Sequence, residues 1–98
     1  GVAKGWYMSG SKAAIGEYKD GKEDGKFTIW YPNGELKSVG KYKNGNKIGK
    51  HQFYSEDGFL YLEEQYNNNG EKDGTWNRYD KSGKIIESVK YKNGKLLK

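Results

Sequence analysis

The chain has 98 residues, a formal net charge of +5 and no cysteine. This length suits one small domain or one short repeat array, and the lack of cysteine excludes disulfides and thiolate metal sites. Leu, Ile, Val and Phe are scarce, but twelve tyrosine and tryptophan residues supply apolar surface at regular intervals. We therefore expect an ordered, thin structure whose rings cover a sheet.

A tyrosine followed by an Asn-Gly or Asp-Gly turn recurs along the chain, and a second glycine is expected to open the next strand. The phrase is clearest at residues 42–49. A fixed period of this length indicates a repeat architecture. Aligning the glycines divides a single repeat domain, residues 1–98, into four units: 1–24, 25–48, 49–73 and 74–98.

Each unit predicts a β-hairpin. Residues 26–31 are rich in aromatic and β-branched side chains, which favour strands, and Pro32-Asn33-Gly34 then turns the chain. A small polar residue before glycine fits a hairpin loop whose glycine has a positive φ, and Gly10, Gly58 and Gly83 occupy the same position. Four hairpins in series predict an all-β fold, an elongated antiparallel meander of about eight strands and about 40 Å.

The two faces of this sheet are only partly determined by the sequence. Period two places Leu36, Gly40 and Tyr42 on one face. Phe27 and Trp30 lie three residues apart, so either a bulge redirects one ring or both faces carry rings.

The segment Gly40-Lys41-Tyr42-Lys43-Asn44-Gly45, followed by Gly49, resembles the membrane occupation and recognition nexus (MORN) repeat. It is most similar to the bacterial variant, which has tyrosine where the eukaryotic form prefers tryptophan. The resemblance extends over the whole chain, although Glu64 and Val89 replace the motif glycine in the last two units.

The resemblance implies an extended sheet of hairpins with roles in protein–protein contact, scaffolding or acidic-lipid association. Some bacterial relatives resemble antitoxins or cell-envelope proteins, so the envelope, the periplasm and the cytoplasm all remain open as compartments. A phosphatidylinositol phosphate kinase label on a relative would describe a neighbouring domain. A weaker resemblance, to choline- or glucan-binding repeats, rests on Gly5-Trp6-Tyr7 and Trp30-Tyr31 and keeps a glycan partner open.

No residue pattern predicts catalysis, a cofactor or a metal site. The single histidine, His51, occupies a column otherwise filled by aromatic residues, which indicates packing or surface substitution. Glu63 and Glu64 are adjacent on a strand and point to opposite faces, so they cannot act as a carboxylate pair. Asp20, Glu23 and Asp24 are oxygen ligands of the kind that calcium takes, but the next unit has Asn44 and Ile48 in place of Asp20 and Asp24, which favours a solvated turn.

The charge pattern bears on the choice of partner. The four units carry net charges of 0, +4, −4 and +5 in chain order. Acidic residues of the third unit interrupt the continuous basic face that is typical of nucleic-acid binders, which argues against nucleic acid as a partner. Alternating sign suits sheet pairing or self-association, and anionic lipid stays an alternative.

We therefore predict a non-enzymatic repeat module that presents a sheet surface to another protein or to a second copy of itself. The candidate binding residues are the tyrosines that recur at one repeat position: Tyr18, Tyr42, Tyr66 and Tyr91. Aromatic side chains give much contact area at low entropic cost. The alternative is that these rings only pack on neighbouring strands.

Overall fold

The computed structural model describes residues 1–97, and these residues form one antiparallel sheet. Each strand pairs with the next in chain order, so the predicted all-β meander of hairpins is confirmed. Among the described residues, no helix exists that could cross a membrane. The strands are β1 (Val2–Trp6), β2 (Lys12–Lys19), β3 (Lys22–Trp30), β4 (Leu36–Lys43), β5 (Asn46–Tyr54), β6 (Leu60–Tyr66), β7 (Gly74–Tyr79), β8 (Ile85–Lys92) and the two-residue β9 (Lys95–Leu96).

The sheet is a single layer. Its extents are 46 × 38 × 11 Å, close to the predicted length and only one sheet thick. Within residues 1–97 no hydrophobic side chain is fully buried, and the one buried polar side chain is His51. Both faces are therefore available to solvent or to a partner, and the stability of the sheet depends on contacts between neighbouring strands.

Two kinds of turn close the two sides of the sheet. On one side, which we call the Gly34 rim, the backbone NH of Gly34 donates to the carbonyl of Tyr31 at 2.9 Å. The predicted positive φ is confirmed at all four turn glycines of this rim: Gly10, Gly34, Gly58 and Gly83, with values of 90–94°. On the opposite side, Asn44 and Gly45 have φ of 50° and 84°, a two-residue type I′ turn.

A bulge lies wherever one unit pairs with the next. Val39 pairs with Gln52 but Lys41 pairs with Ile48, so β5 has two extra residues there. The bulge contains Gly49, whose φ is 68°, and the equivalent glycines Gly25 and Gly74 have φ of 119° and 106°. The expectation that this glycine opens a strand is correct for Gly74 but wrong for β3 and β5, which begin at Lys22 and Asn46. A type I′ turn uses only two residues, so pairing starts directly after it. The two extra residues are then accommodated in a bulge inside the strand, where the glycine adopts the positive φ.

Both faces of the sheet carry rings. From Phe27 to Ile29 the register of β3 against β4 is regular, so alternation places Phe27 and Trp30 on opposite faces. The register then shifts, and Trp30 pairs with Leu36. The strict period-two assignment of Leu36 to the face of Tyr42 is therefore wrong, because the bulge at the start of β4 interrupts the alternation.

Candidate binding surface

Seven rings form a continuous row across strands β2 to β8, and we call this row the aromatic ladder. Adjacent ring centroids lie 5.0–5.5 Å apart, and five of the six adjacent pairs, inclined by 65–84°, have the edge-to-face geometry that aromatic pairs prefer. The sixth pair, Trp76 and Tyr91, is tilted at 59°. The four predicted tyrosines all belong to it, linked by three intervening rings that the sequence analysis did not connect to them. In spatial order the ladder is Tyr18, Phe27, Tyr42, His51, Tyr66, Trp76 and Tyr91.

Glycines beneath the rings make this row possible. Phe27 pairs with Gly16 on one side and with Gly40 on the other. A Cβ at Gly16 would overlap the Phe27 ring, and a Cβ at Gly40 would overlap the His51 imidazole. The rings therefore lie directly on the bare backbone of the neighbouring strand, which is why the repeat needs glycine two residues before its tyrosine.

The last two units keep the ladder without that glycine. Glu64 pairs with His51, and Val89 pairs with Trp76. The Tyr66 hydroxyl donates to the Glu64 carboxylate at 2.9 Å, and the Trp76 indole NH donates to the carbonyl of Gln65 at 2.9 Å. Hydrogen bonds thus fix the rings of these units where close backbone packing is lost.

His51 is a packing residue, the first of the two alternatives that its column indicated. Its side chain is only 4% exposed, and its Nε2 lies 2.8 Å from the carbonyl oxygen of Lys41. Burial lowers the pKa of His51 below its ordinary value, an effect that outweighs the opposing backbone hydrogen bond to Lys41. The neutral imidazole, with a proton on Nε2, is the form that fits this position.

The tyrosines differ in exposure along the ladder. Tyr18 is at one end and is 40% exposed, whereas Tyr42, Tyr66 and Tyr91 are partly buried. Burial, followed by the nearby charges of Glu23 and Glu64, raises the pKa of Tyr42. Burial and the hydrogen bond to Glu64 raise the pKa of Tyr66 as well. Both hydroxyls therefore stay protonated and able to donate.

Two lysines lie over the ladder. The Lys72 Nζ is 4.8 Å from the Trp76 ring centroid and 4.9 Å from that of Tyr91. The Lys47 Nζ is 5.7 Å from the Tyr66 centroid and 3.8 Å from a carboxylate oxygen of Glu64. Cation–π contacts of this kind add modest stability at exposed sites and give the ladder a charged margin.

A shallow groove of about 200 Å³ adjoins the ladder in the last two units. Its walls are apolar, and charged groups from β6, β7 and β8 stand around them. The lining residues are Leu62, Glu64, Trp76, Arg78, Glu87, Val89 and Tyr91.

Two tyrosine hydroxyls along the Gly34 rim link neighbouring units, a feature that sequence reasoning missed. The Tyr7 hydroxyl donates to the carbonyl of Trp30 at 2.5 Å, and the Tyr31 hydroxyl donates to the carbonyl of Tyr54 at 2.7 Å. Each bond joins one unit to the next. The signal was a tyrosine at the seventh residue of the first two units, which the third unit replaces by Ser55.

The face opposite the ladder, which we call the reverse face, holds a polar network around Glu63. The Tyr79 hydroxyl and the Gln52 amide donate to its two oxygens at 2.5 and 2.8 Å, and the Lys50 Nζ lies at 3.9 Å. Burial alone would raise the pKa of Glu63, but these three partners lower it below its ordinary value. Glu63 and Glu64 thus serve opposite faces, as the sequence predicted.

Comparison with known proteins supports the family resemblance. Residues 23–44 and 72–93 match the family model described as the MORN repeat variant, so these two segments are MORN-type repeats. Each segment begins two residues before a predicted unit, at 23 and 72, and ends in the next Asn-Gly turn, at Asn44 and Asn93. No curated protein and no solved structure matches the chain significantly.

Proposed function

We propose that this protein, which carries MORN-type repeats, is a non-catalytic repeat module whose aromatic ladder is a contact surface for another protein. The observation that carries this proposal is the ladder itself, a row of seven part-exposed or edge-packed rings on the open face of a sheet 11 Å thick. Aromatic residues are enriched at the energetic centres of protein interfaces.

The ladder suits an extended partner. Because the row crosses the strands, one partner segment can lie along successive units and meet an equivalent ring in each. The five inner rings are held by neighbouring rings on both sides, so they lose little side-chain freedom on binding. The apolar groove beside Trp76 and Tyr91 gives such a segment a place for one larger side chain.

Tyr18 is the residue with which to test the proposal. It ends the ladder, has a single ring neighbour in Phe27 and is 40% exposed, so its removal disturbs packing least. Tyr61 is a matched control, because it is a 37% exposed tyrosine outside the ladder. The partner is first captured from the source cells, and its affinity is then measured for the wild type, Tyr18→Ala and Tyr61→Ala.

We expect Tyr18→Ala to weaken binding about tenfold, the cost of one aromatic contact in an interface, with a melting temperature close to that of Tyr61→Ala. Tyr61→Ala should bind like the wild type. Equal affinities for the two variants would refute the ladder as the contact surface, and it would then be an element of packing only.

A further inference from the structure

The sheet sorts charged side chains by face in a way the linear sequence conceals. Lys26 and Lys41 pair across β3 and β4, next to the pair Phe27 and Gly40, so alternation places both lysines on the reverse face. The acidic residues that interrupt the basic pattern in sequence lie elsewhere, with one exception. Glu64 is on the ladder face, and Glu56 and Asp57 are in a turn of the Gly34 rim. Glu71 is in a turn of the opposite rim, where the Asp73 carboxylate accepts from the backbone NH of Asn93.

The exception, Glu63, is already engaged. Tyr79 and Gln52 donate to its oxygens, and Lys50 lies at the outer limit of an ion pair, 3.9 Å away. The acceptor positions of this reverse-face carboxylate are therefore largely used within the protein.

Three lysines surround a depression in this region. The depression has a volume of about 240 Å³ and joins three consecutive strands, β3, β4 and β5. Val39 and the backbone of Gly40 form its apolar floor, and the lining residues are Lys26, Val39, Gly40, Lys41, Lys50 and Gln52. We call Lys26, Lys41 and Lys50 the lysine cluster.

The lysine cluster is electrostatically unfavourable in the protein alone. Like charges directly opposite on adjacent strands are destabilising, and Lys26 and Lys41 are such a pair. Within residues 1–97, neither has a carboxylate at salt-bridge distance. An anion placed between the ammonium groups would remove this repulsion and add charge-assisted hydrogen bonds, which are roughly twice as strong as neutral ones.

We propose that the lysine cluster binds a phosphate or sulfate monoester. The lysine stems and Val39 line the depression, so an ester substituent can lie there while the mobile ammonium groups turn to donate to the oxygens of a tetrahedral oxyanion. The concentration of positive charge in one depression favours a compact, doubly charged group. This site is on the face opposite the ladder and does not depend on the ladder's proposed function.

The first test uses inorganic phosphate as the probe. Amide chemical shifts of the 98-residue protein are followed during a phosphate titration, for the wild type and for Lys26→Gln/Lys41→Gln/Lys50→Gln. We expect saturable shifts centred on Val39 to Gln52 and about tenfold weaker binding in the triple variant. The control, Lys84→Gln/Lys92→Gln/Lys95→Gln, removes the same charge outside the depression and should bind phosphate like the wild type.

A second arm identifies the source of the oxyanion. Co-sedimentation with phosphatidylcholine vesicles, with and without phosphatidic acid, tests a lipid headgroup. Binding of free phosphate alone assigns a soluble ester, whereas lysine-cluster-dependent binding to the acidic vesicles assigns a lipid. Equal losses in the two triple variants, or phosphate shifts spread evenly over all lysines without vesicle binding, would overturn the proposal. The shift map of the wild type decides the matter even if the triple variant is unstable, and Tyr18→Ala should leave phosphate binding unchanged.

Discussion

His51 lies directly on Gly40, with the imidazole in the space where any other residue would place its Cβ. The same relationship holds between Phe27 and Gly16 one unit earlier. Because φ at Gly40 is not positive, this glycine is needed for close approach and not for backbone conformation. Among residues 1–97, which have no buried hydrophobic core, the one buried side chain thus lies where the neighbouring strand has no side chain.

Gly40→Ala is therefore expected to destabilise the protein by about 1–3 kcal/mol, the usual cost of overpacking. Gly5→Ala is the matched control, because a Cβ at Gly5 meets no atom within 4 Å and its φ is not positive. Chemical denaturation measures both. In the double variant Gly40→Ala/His51→Ala the ring is absent, so its loss of stability should differ from the sum of the losses in Gly40→Ala and His51→Ala. A cost for Gly40→Ala no larger than that for Gly5→Ala would contradict the close packing.

The buried imidazole also predicts a pH dependence. Burial lowers the pKa of His51 below the ordinary 6.5, so the folded state disfavours the protonated form. The unfolded chain then binds more protons, and the stabilising contribution is present above pH 6.5 and is lost as the pH falls below it. Lys47 adds to this effect, while Glu64 opposes it.

We expect the melting temperature of the wild type to fall below pH 6.5 relative to that of His51→Phe, which keeps a ring in the ladder. The difference between the two proteins, measured across this range, isolates His51 from other titrating groups such as Glu63. If the difference between the two melting temperatures does not change with pH, the pKa of His51 is not lowered in the folded state.

Some features of the fold follow from short-range chemistry and could be predicted. Turn glycines such as Gly34 act within four residues, so the hairpins and their order were readable from the sequence. The bulge at Gly49 could not be read, because it depends on how β5 aligns with β4 across a turn. That same bulge brings His51 between Tyr42 and Tyr66, so the tyrosine column was visible while the complete ladder was not.

The lysine cluster was hidden for a related reason. Lys26 and Lys41 are fifteen positions apart and become neighbours only through strand register. Counting charge along the chain mixes both faces and both rims, so acidic residues such as Glu64 appeared to interrupt a basic surface that they do not share.

The turn glycines of the Gly34 rim give a further test. Gly34 has a φ of 90° and a Cβ there would meet no atom within 4 Å, so substitution acts through backbone strain alone. Gly34→Ala should cost about 1–2 kcal/mol in unfolding free energy. D-alanine at the same position, introduced by chemical synthesis, should be tolerated because it favours positive φ. If both alanines cost the same, strain is not the cause.

Position within the ladder should determine how much each tyrosine stabilises the fold. Tyr42 contacts two rings, Phe27 and His51, whereas Tyr18 contacts Phe27 only. Each aromatic pair is worth about 0.5–1.5 kcal/mol beyond buried area, so Tyr42→Ala should be more destabilising than Tyr18→Ala by about 1 kcal/mol. Denaturant midpoints of the two variants provide the measurement. Equal losses would show that the edge-to-face contacts do not contribute independently.

The outer strands lead to the last prediction. Among the described strands, β1 pairs only with β2, and β9 covers only part of β8, so two edges carry open hydrogen-bonding groups. Open edges invite strand addition, the more so when apolar side chains flank them, and Val2 and Trp6 of β1 are 61% and 60% exposed. We expect the 98-residue protein to self-associate with rising concentration in sedimentation equilibrium. Val2→Lys/Trp6→Lys should shift it toward monomer, because charge on an edge strand opposes pairing.

Met8→Lys is the control, since Met8 is fully exposed in a turn outside the edge strand. A wild type that remains monomeric at every concentration, or a control that dissociates as readily as the double variant, would show that these edges do not pair.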